Sequence, residues 1–478
     1  MMRALALSIL GSCTLLTACA PRQVLYPALG MEPPALNELP AAFERPISHE
    51  TGQPMPGFGG GGKGIQRTPV LFVHGNTVSA RFWNPTRERF AERGYNPDEL
   101  WGFSHGWNNV RYFDANDLSV PSIQNAVTAL QQYWEAQGES VPQIDVIGHS
   151  LGVTILRQWM QQTNSWHLVR NFIGACGAND GVWTAWPDTR GQQRPVSWEL
   201  HPGSPWLEQL NRQGESPGPT RYMTIYDGTG RGDVLFPPPF EDSSALEGAY
   251  NLAYNREHGS LYGHLNLPWE EGPIDAMVDW LRASPDAPAD AERPDVAIKG
   301  NRLSTSVEGA LLHCRTDGPY PSLATPGQQS LSMQEGLLYT CFARHPDSGL
   351  AGPMHRFTAW TEADLERPRP TLTATPSGGS FEHPQRVELH SDDPDAFIVY
   401  STAGVTPTTG SPLYTEPVYV AAPLRLTAMA VSPGGISSEP LLLDFDISLE
   451  LVEAKHTLER QFDSSRPVHY AAERKKGN

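Results

Sequence analysis

The stretch that decides the fold is Ile144-Asp145-Val146-Ile147-Gly148-His149-Ser150-Leu151-Gly152. An apolar run leads into the pattern G-x-S-x-G, and a helical pattern over residues 153–160 follows it. Strand, tight turn and helix together form the context of a nucleophile elbow, in which a serine is exposed on a sharp turn. The flanking glycines suit a backbone that lies close to its neighbours. The pattern predicts that Ser150 is a catalytic nucleophile; a serine that only shapes a turn is the alternative.

A second motif lies upstream, where Thr68-Pro69-Val70-Leu71-Phe72-Val73-His74-Gly75-Asn76 has the pattern of a buried strand ending in His-Gly. In folds built around a nucleophile elbow, the loop after that strand supplies one N–H of the oxyanion hole, and the residue after the nucleophile supplies the other. We therefore expect the backbone N–H groups of Asn76 and Leu151 to be the donors. His74 is predicted to pack and shape the loop, because the base of this fold comes after the serine.

Together with a late Gly-His, Gly263-His264, these motifs resemble an α/β-hydrolase of the secreted bacterial lipase type, lipase class 2, over roughly residues 66–285. They are also similar to bacterial polyhydroxyalkanoate depolymerases of that fold. The alternation of apolar strands with helical patterns predicts an α/β domain with a mainly parallel sheet covered on both faces. The mechanism that the resemblance implies needs no metal and no cofactor.

The acid and the base should follow the serine in the order Ser, acid, His. The resemblance favours Asp233, which lies a short loop beyond the predicted strand 221–226 and precedes an apolar residue. Asp227, directly at the strand end, is the alternative acid or a turn former. The resemblance likewise favours His264, in a Gly-His-apolar loop before the last predicted helix. His258 is then expected to be a loop residue or a supporting group.

The chain begins with a predicted lipoprotein signal peptide, residues 1–18. An apolar run over residues 4–16 leads to Leu16-Thr17-Ala18-Cys19, which matches a lipoprotein signal-peptidase box. This predicts that Cys19 carries lipid and that the protein is exported, with the outer membrane favoured because Ala20 is no inner-membrane retention residue. An ordinary secretory signal is the alternative. Residues 19–65, rich in Pro, Gly and Glu, are predicted to form a flexible tether.

Composition narrows the class of partner. The 478-residue chain carries 53 acidic and 35 basic residues, a formal net charge of −18. This acidity argues against nucleic acid as a partner.

Of the five cysteines in the chain, three follow the predicted lipidation site: Cys176, Cys314 and Cys341.

The chain changes character after the predicted hydrolase domain, residues 66–284. Residues 285–294 form a Pro/Ala/Asp linker. Short strand and turn patterns follow at Pro376–Phe381, Ala396–Thr402 and Leu426–Ala430, and with them residues 367–447 resemble the chitobiase/β-hexosaminidase C-terminal β-sandwich module. Residues 448–478 are predicted to be a charged tail.

An internal echo aligns Ala310–Gly318 with Ala396–Gly404, and residues 338–343 with 425–430. Residues 296–366 are therefore predicted to be a diverged first β-module. The alignment places Cys314 and Cys341 on strands of one small domain. We expect a disulfide between them, which leaves Cys176 outside any disulfide.

Residues 178–220 form an irregular stretch with four tryptophans, at positions 183, 186, 198 and 206. A surface excursion with a small core of its own and a lid over the substrate are both open interpretations.

The sequence as a whole predicts an exported, lipid-anchored serine carboxylic-ester hydrolase that acts on acylglycerols or related long-chain esters through Ser150, Asp233 and His264. Polyester depolymerase is the alternative reaction. A surface-binding lipoprotein without turnover is the alternative of another class. The β-modules are expected to attach the enzyme to a glycan or polymer surface.

Overall fold

The computed structural model describes residues 39–40, 43, 45, 47, 53–61, 63–76, 78–105, 116–185, 195–229, 232–254, 263–288, 290–316, 318 and 320–447. The predicted signal peptide, Cys19, much of the tether, His258 and the predicted tail lie outside these residues. Among the described helices, none is both long enough and apolar enough to cross a membrane.

A parallel sheet of six strands forms the centre of the first domain. Its order is β2-β1-β3-β4-β5-β6, and every neighbouring pair is parallel. The strands are β1 (Val70–Val73), β2 (Leu100–Phe103), β3 (Ile144–His149), β4 (Val169–Ala175), β5 (Arg221–Tyr226) and β6 (Tyr250–Ala253). The first five strands are almost wholly buried, as expected for a parallel sheet covered by helices.

Helices cover this sheet in pairs. The α-helices are α1 (Asn84–Glu92), α2 (Asn116–Ala136), α3 (Leu151–Gln162), α4 (Pro195–Leu200), α5 (Pro205–Asn211), α6 (Gly263–Asn266) and α7 (Glu271–Arg282). Short 3-10 turns lie at Ala80–Trp83, Pro97–Glu99, Trp166–Leu168, Trp183–Ala185, Leu267–Trp269, Glu362–Glu366 and Pro433–Gly435. Helix α2 packs on α3, and α1 packs on α7. Both pairs bury apolar side chains in one core with the sheet, so the predicted α/β-hydrolase architecture is confirmed.

Small, mostly antiparallel sheets follow. The strands are β7 (Val296–Lys299), β8 (Arg302–Thr305), β9 (Leu311–Arg315), β10 (Gly327–Gln328), β11 (Ser330–Ser332), β12 (Leu338–Arg344), β13 (His355–Thr358), β14 (Leu372–Thr375), β15 (Gly379–Phe381), β16 (Gln385–Ser391), β17 (Phe397–Ser401), β18 (Val418–Val420), β19 (Leu424–Val431) and β20 (Leu441–Ile447). Their orders are β10-β9-β12-β13, β11-β8-β7, β14-β16-β18 and β15-β20-β19-β17. Each predicted module thus contains a four-stranded and a three-stranded sheet.

The two modules share one strand register. In the first, Cys314 of β9 pairs with Cys341 of β12. In the second, Tyr400 of β17 pairs with Ala428 of β19. These are the positions that the internal echo aligns. The disulfide Cys314–Cys341 therefore joins directly opposed residues of neighbouring strands, with Cα atoms 4.2 Å apart.

The modules pack firmly on the hydrolase domain. Asn164, just beyond α3, donates from Nδ2 to the Met354 carbonyl at 2.8 Å and accepts from the Met354 N–H at 3.2 Å. The backbone N–H of Thr402 donates to Gln162 Oε1 at 2.8 Å. Apolar residues of the C-terminal half also belong to the hydrolase core: Tyr320, Phe342, Ala351, Met354 and Ala403. The two halves are therefore joined by a buried interface in addition to the covalent linker.

The linker itself is fixed at its end. The guanidinium of Arg293 donates to the carbonyl oxygens of Pro142, His167 and Ala351. The first two acceptors belong to the hydrolase domain and the third to the first β-module. Because one planar group donates hydrogen bonds to both halves, the end of the linker is fixed at the interface and is not a free spacer.

Two buried carboxyl groups lie under this interface. Asp117 of α2 accepts from Gln158 at 2.7 Å and from the Thr402 hydroxyl at 2.9 Å. Glu199 of α4 accepts from the backbone and side-chain nitrogens of Asn116 at 2.6 and 2.8 Å. Burial, and for Glu199 also the nearby charge of Asp117, raise the pKa of both carboxyl groups. Compared with the unfolded chain, the folded protein therefore binds protons more readily at both groups.

This pair predicts a pH dependence of stability. A carboxyl group whose pKa is raised by folding binds more protons in the folded state, so its contribution is complete below the ordinary value near pH ~4 and is lost as pH rises towards the raised value. We expect Glu199→Gln, which resembles the protonated acid, to flatten the fall in the free energy of unfolding above pH ~4. Urea titrations at several pH values measure this slope. Glu135→Gln, at an exposed position of α2, is the matched control. If the free energy of unfolding falls with pH as steeply in Glu199→Gln as in the wild type, the raised pKa of Glu199 is contradicted.

Candidate active site

The predicted nucleophile occupies a strained turn between β3 and α3. Ser150 has φ 54° and ψ −124°, a region that side-chain-bearing residues rarely adopt. Its N–H donates to the Ala175 carbonyl at 2.9 Å, which ties the turn to the end of β4. Helix α3 begins at Leu151, so the first N–H groups of that helix have no intrahelical acceptor. This arrangement presents a serine beside the backbone N–H groups at the start of a helix.

The two glycines of the motif are required by close contacts. A Cβ at position 148 would lie 2.9 Å from the backbone of Gly152 and Val153. A Cβ at position 152 would collide with the carbonyl oxygens of Val73 and His74. The elbow therefore fits against β1 and its own helix only without side chains at these positions.

The favoured acid and base lie in contact. His264, in the short helix α6, has its Nδ1 2.7 Å from Oδ2 of Asp233, and both side chains are buried. The second carboxylate oxygen of Asp233 accepts from the N–H of Leu235 at 2.9 Å. Since a carboxylate accepts only, Nδ1 of His264 carries the proton and Nε2 presents a lone pair. This is the tautomer that a general base needs.

The alternative acid has a different role. Oδ1 of Asp227 accepts from the N–H and the hydroxyl of Thr229 at 2.8 and 2.6 Å, which closes a local turn. The structure therefore brings Asp233, and not Asp227, to His264. His258 lies outside the described residues.

The predicted oxyanion loop lies against the elbow. A Cβ at Gly75 would lie 2.9 Å from Cβ of Ser150, so this loop and the nucleophile are in direct contact. Asn76 follows Gly75, and Leu151 follows Ser150, which places both predicted donors on backbone beside the serine.

His74 supports the oxyanion loop from behind. Its ring stacks on that of His105 at a centroid distance of 3.9 Å, and its Nε2 accepts from the His105 N–H at 3.1 Å. The ring of His105 in turn bonds the His74 carbonyl at 2.8 Å. Burial lowers the pKa of His105 to about 4, so His105 stays neutral, and the stacked pair supports the loop by packing.

Two side chains near the serine were not predicted to belong to the site. His149 bonds the His264 carbonyl through Nε2 at 2.7 Å. Cys176 is buried, takes no part in a disulfide and has a positive φ of 52° directly after β4. Two features of the sequence could have indicated them: His149 occupies the first x position of G-x-S-x-G, and Cys176 lies directly after a predicted strand.

His149, Cys176 and His264 also offer one potential metal-ligand atom each within 4.8 Å of one another. Both imidazoles already have protein partners, since His149 holds the His264 carbonyl and His264 holds Asp233. These bonds orient the rings for the acid–base pair, and we assign no metal to the group.

The described tryptophans of residues 178–220 are packed or bonded. Trp183 donates to the Val234 carbonyl at 3.0 Å, next to the favoured acid. Trp198 lies in the core of the second β-module, and Trp206 is buried and donates to Asp117 at 3.3 Å. Trp186 lies outside the described residues. The described part of this stretch thus supports the acid loop and the interface with the modules.

Comparison with known families identifies two segments of the chain. Residues 67–228 match the model of the class 2 lipase family, and residues 376–441 match that of the chitobiase/beta-hexosaminidase C-terminal domain. The first match contains the predicted oxyanion loop and the elbow and ends before Asp233. A comparison with curated protein sequences gave no match.

Similar solved structures include lipases. The mature lipase BlEst2 of Bacillus licheniformis shares 15% identity over 47% of this chain and 96% of its own, with a TM-score of 0.36. Lipase B of Aspergillus fumigatus shares 14% identity over 47% of this chain and 54% of its own, also with a TM-score of 0.36. The two family matches and the geometry of Ser150, His264 and Asp233 agree with each other. They confirm the resemblance drawn from the motifs: the chain is a carboxylic ester hydrolase whose residues 67–228 match the class 2 lipase family and whose residues 376–441 match the chitobiase/beta-hexosaminidase C-terminal domain.

Proposed function

We propose that the protein is an exported, lipid-anchored lipase or esterase that uses Ser150, His264 and Asp233 as a catalytic triad. The observation that carries the proposal is the buried contact of 2.7 Å between His264 Nδ1 and Asp233 Oδ2 beside the strained serine. Acylglycerols and related long-chain esters are the favoured substrates because of the match to the class 2 lipase family.

The proposed reaction proceeds in two steps. Nε2 of His264 takes the proton of the Ser150 hydroxyl while the serine oxygen attacks the ester carbonyl, and the same proton then passes to the departing alkoxide. The N–H groups of Asn76 and Leu151 stabilise the negative charge on the carbonyl oxygen. Water then attacks the acyl carbon while Nε2 of His264 takes its proton. The bond from that carbon to the Ser150 oxygen breaks, the proton passes to the serine oxygen, and the carboxylic acid is released. Asp233 stabilises the transient imidazolium and fixes its orientation.

Lipid anchoring rests on the sequence alone. The Leu16-Thr17-Ala18-Cys19 box supports it, and several acyl chains on one cysteine anchor a protein where one chain gives only marginal binding. We expect the wild type to sediment with membranes and to incorporate labelled palmitate. Cys19→Ser should remain as precursor or appear in the soluble fraction, while Cys13→Ser is the control within the signal. An unlabelled wild type would indicate simple secretion.

We further propose that the C-terminal modules attach the enzyme to a glycan or polymer surface. The match of residues 376–441 supports this role. An open cavity of about 340 Å³ on the second module is lined by Glu388, His390, Tyr414 and two threonines, Thr373 and Thr375. A lining that combines an aromatic side chain with hydrogen-bonding side chains suits a sugar ring.

Rates on three substrates test the substrate class: a p-nitrophenyl ester series, a triolein emulsion and a polyhydroxybutyrate film. Hydrolysis of long-chain esters and triolein with a slow film reaction is the expected result. A fast film reaction would favour the polyester depolymerase.

The full chain is compared with its Tyr414→Ala variant, which should lose adsorption to a chitin or polymer surface and keep its rate on the soluble ester. Equal adsorption would refute the attachment site.

A further inference from the structure

His149 makes a hydrogen bond whose direction fixes its protonation state. Its Nε2 lies 2.7 Å from the backbone carbonyl oxygen of His264. A carbonyl oxygen only accepts, so Nε2 must carry the proton. Burial above all, and then the charge of His264, lower the pKa of His149 well below its ordinary value. The side chain is therefore a neutral donor, and it stays neutral when His264 takes a proton.

The ring of His149 is held firmly in this orientation. One face stacks on Phe82 at a centroid distance of 4.3 Å, and the ring of Trp83 lies perpendicular to it at a centroid distance of 6.3 Å. Nδ1 faces the oxyanion loop, because a Cβ at Gly75 would lie 3.0 Å from it. The side chain is 1% exposed. Rotation of the ring would break this packing, so the donor has one available direction.

The bond connects two parts of the site that are distant in the chain. His149 directly precedes Ser150, and His264 lies 115 residues later. Asp233 fixes the His264 ring through Nδ1. That contact involves side chains only, so other groups must fix the position of the α6 backbone. The hydrogen bond to the His264 carbonyl supplies this placement from the nucleophile turn itself.

We propose that His149 is a positioning residue for the catalytic base: its Nε2–H bond to the His264 carbonyl sets the separation between the nucleophile turn and the base. The inference rests on the proposed triad and adds a specific role for the x residue of G-x-S-x-G. A neutral donor suits the role, because a permanent positive charge here would oppose the imidazolium formed on His264 during the reaction.

A matched pair of variants tests the proposal in the full-length protein. His149→Gln keeps an N–H donor on a flexible side chain, whereas His149→Met has similar size and no donor. We expect His149→Met to lower kcat on a soluble p-nitrophenyl ester by about 10- to 100-fold with KM changed less than about threefold, since small errors in position cost this much. We expect His149→Gln to retain at least about ten times the kcat of His149→Met. Titration of active sites with a fluorophosphonate corrects both values for inactive protein.

Melting temperatures provide the folding control, because both variants lose the same ring. If His149→Met fails to fold, His149→Phe keeps the stacking on Phe82 without the donor and should show the same loss of kcat. Equal kcat in the Gln and Met variants, or a wild-type kcat in His149→Phe, would overturn the proposal. A failure of the triad itself is distinguishable, because fluorophosphonate labelling of the wild type would then not depend on Ser150.

Discussion

Ester hydrolysis is expected to disappear in Ser150→Ala, with a loss of about 10⁴-fold or more in kcat. The reason is that the acyl-enzyme cannot form without the serine oxygen, so only the oxyanion donors and substrate binding remain. Labelling by a fluorophosphonate probe should disappear in parallel. The measurement is the rate on a p-nitrophenyl ester together with probe labelling of the purified protein.

The control for this substitution is another serine to alanine. Ser122→Ala, on the surface of α2 and only partly buried, should leave activity and labelling unchanged. Removal of the hydroxyl at position 150 should not unfold the protein, because alanine keeps the Cβ and adds no group to the turn. Persistent labelling of Ser150→Ala would show that another serine is the nucleophile.

The second large effect concerns the acid and the base. His264→Ala removes the group that moves the proton, and Asp233→Asn places an amide donor or a weaker acceptor against Nδ1, which disfavours the required tautomer. We expect each change to lower kcat by about 10³-fold or more while the protein stays folded. Steady-state kinetics and thermal unfolding of both variants check this.

Asp227→Asn is the matched control for the acid. The amide oxygen of asparagine can still accept from Thr229, so the local turn is kept and kcat should fall less than about tenfold. His258→Ala is the corresponding control for the base and should likewise be mild. A reversed ranking, with Asp227→Asn or His258→Ala nearly inactive, would replace these two assignments and leave the role of Ser150 intact.

Local patterns in the sequence were sufficient to predict the hydrolase fold. The apolar run into Gly148-His149-Ser150-Leu151-Gly152 and the alternation of strands and helices indicate a parallel sheet, because buried parallel strands need nearly continuous apolar sequence. The packing of the modules on the hydrolase was not predictable in this way. It depends on single polar residues such as Asn164 and Thr402, whose partners lie far away in the chain.

The candidate site likewise contains residues that local sequence predicts and residues whose roles depend on distant parts of the chain. Ser150 stands in a motif whose geometry is local, so its sequence neighbours specify its turn. The choice between Asp233 and Asp227 needed the resemblance to a known family, since both acids follow the same strand. His149 could not be assigned from the sequence, because its role depends on one backbone oxygen 115 residues away.

The buried interface has a consequence for the order in which the polypeptide matures. Thr402, a partner of Asp117, lies 285 residues further along the chain. A hydrolase domain emerging first from the ribosome lacks this partner, so Asp117 and Gln162 at the end of α3 do not yet have their hydrogen bonds to Thr402. Long-range contacts form slowly, and the open apolar surface favours aggregation meanwhile. The catalytic half therefore reaches its final stability only after the last strands have been synthesised and have packed on it, which delays full activity until the whole chain has folded.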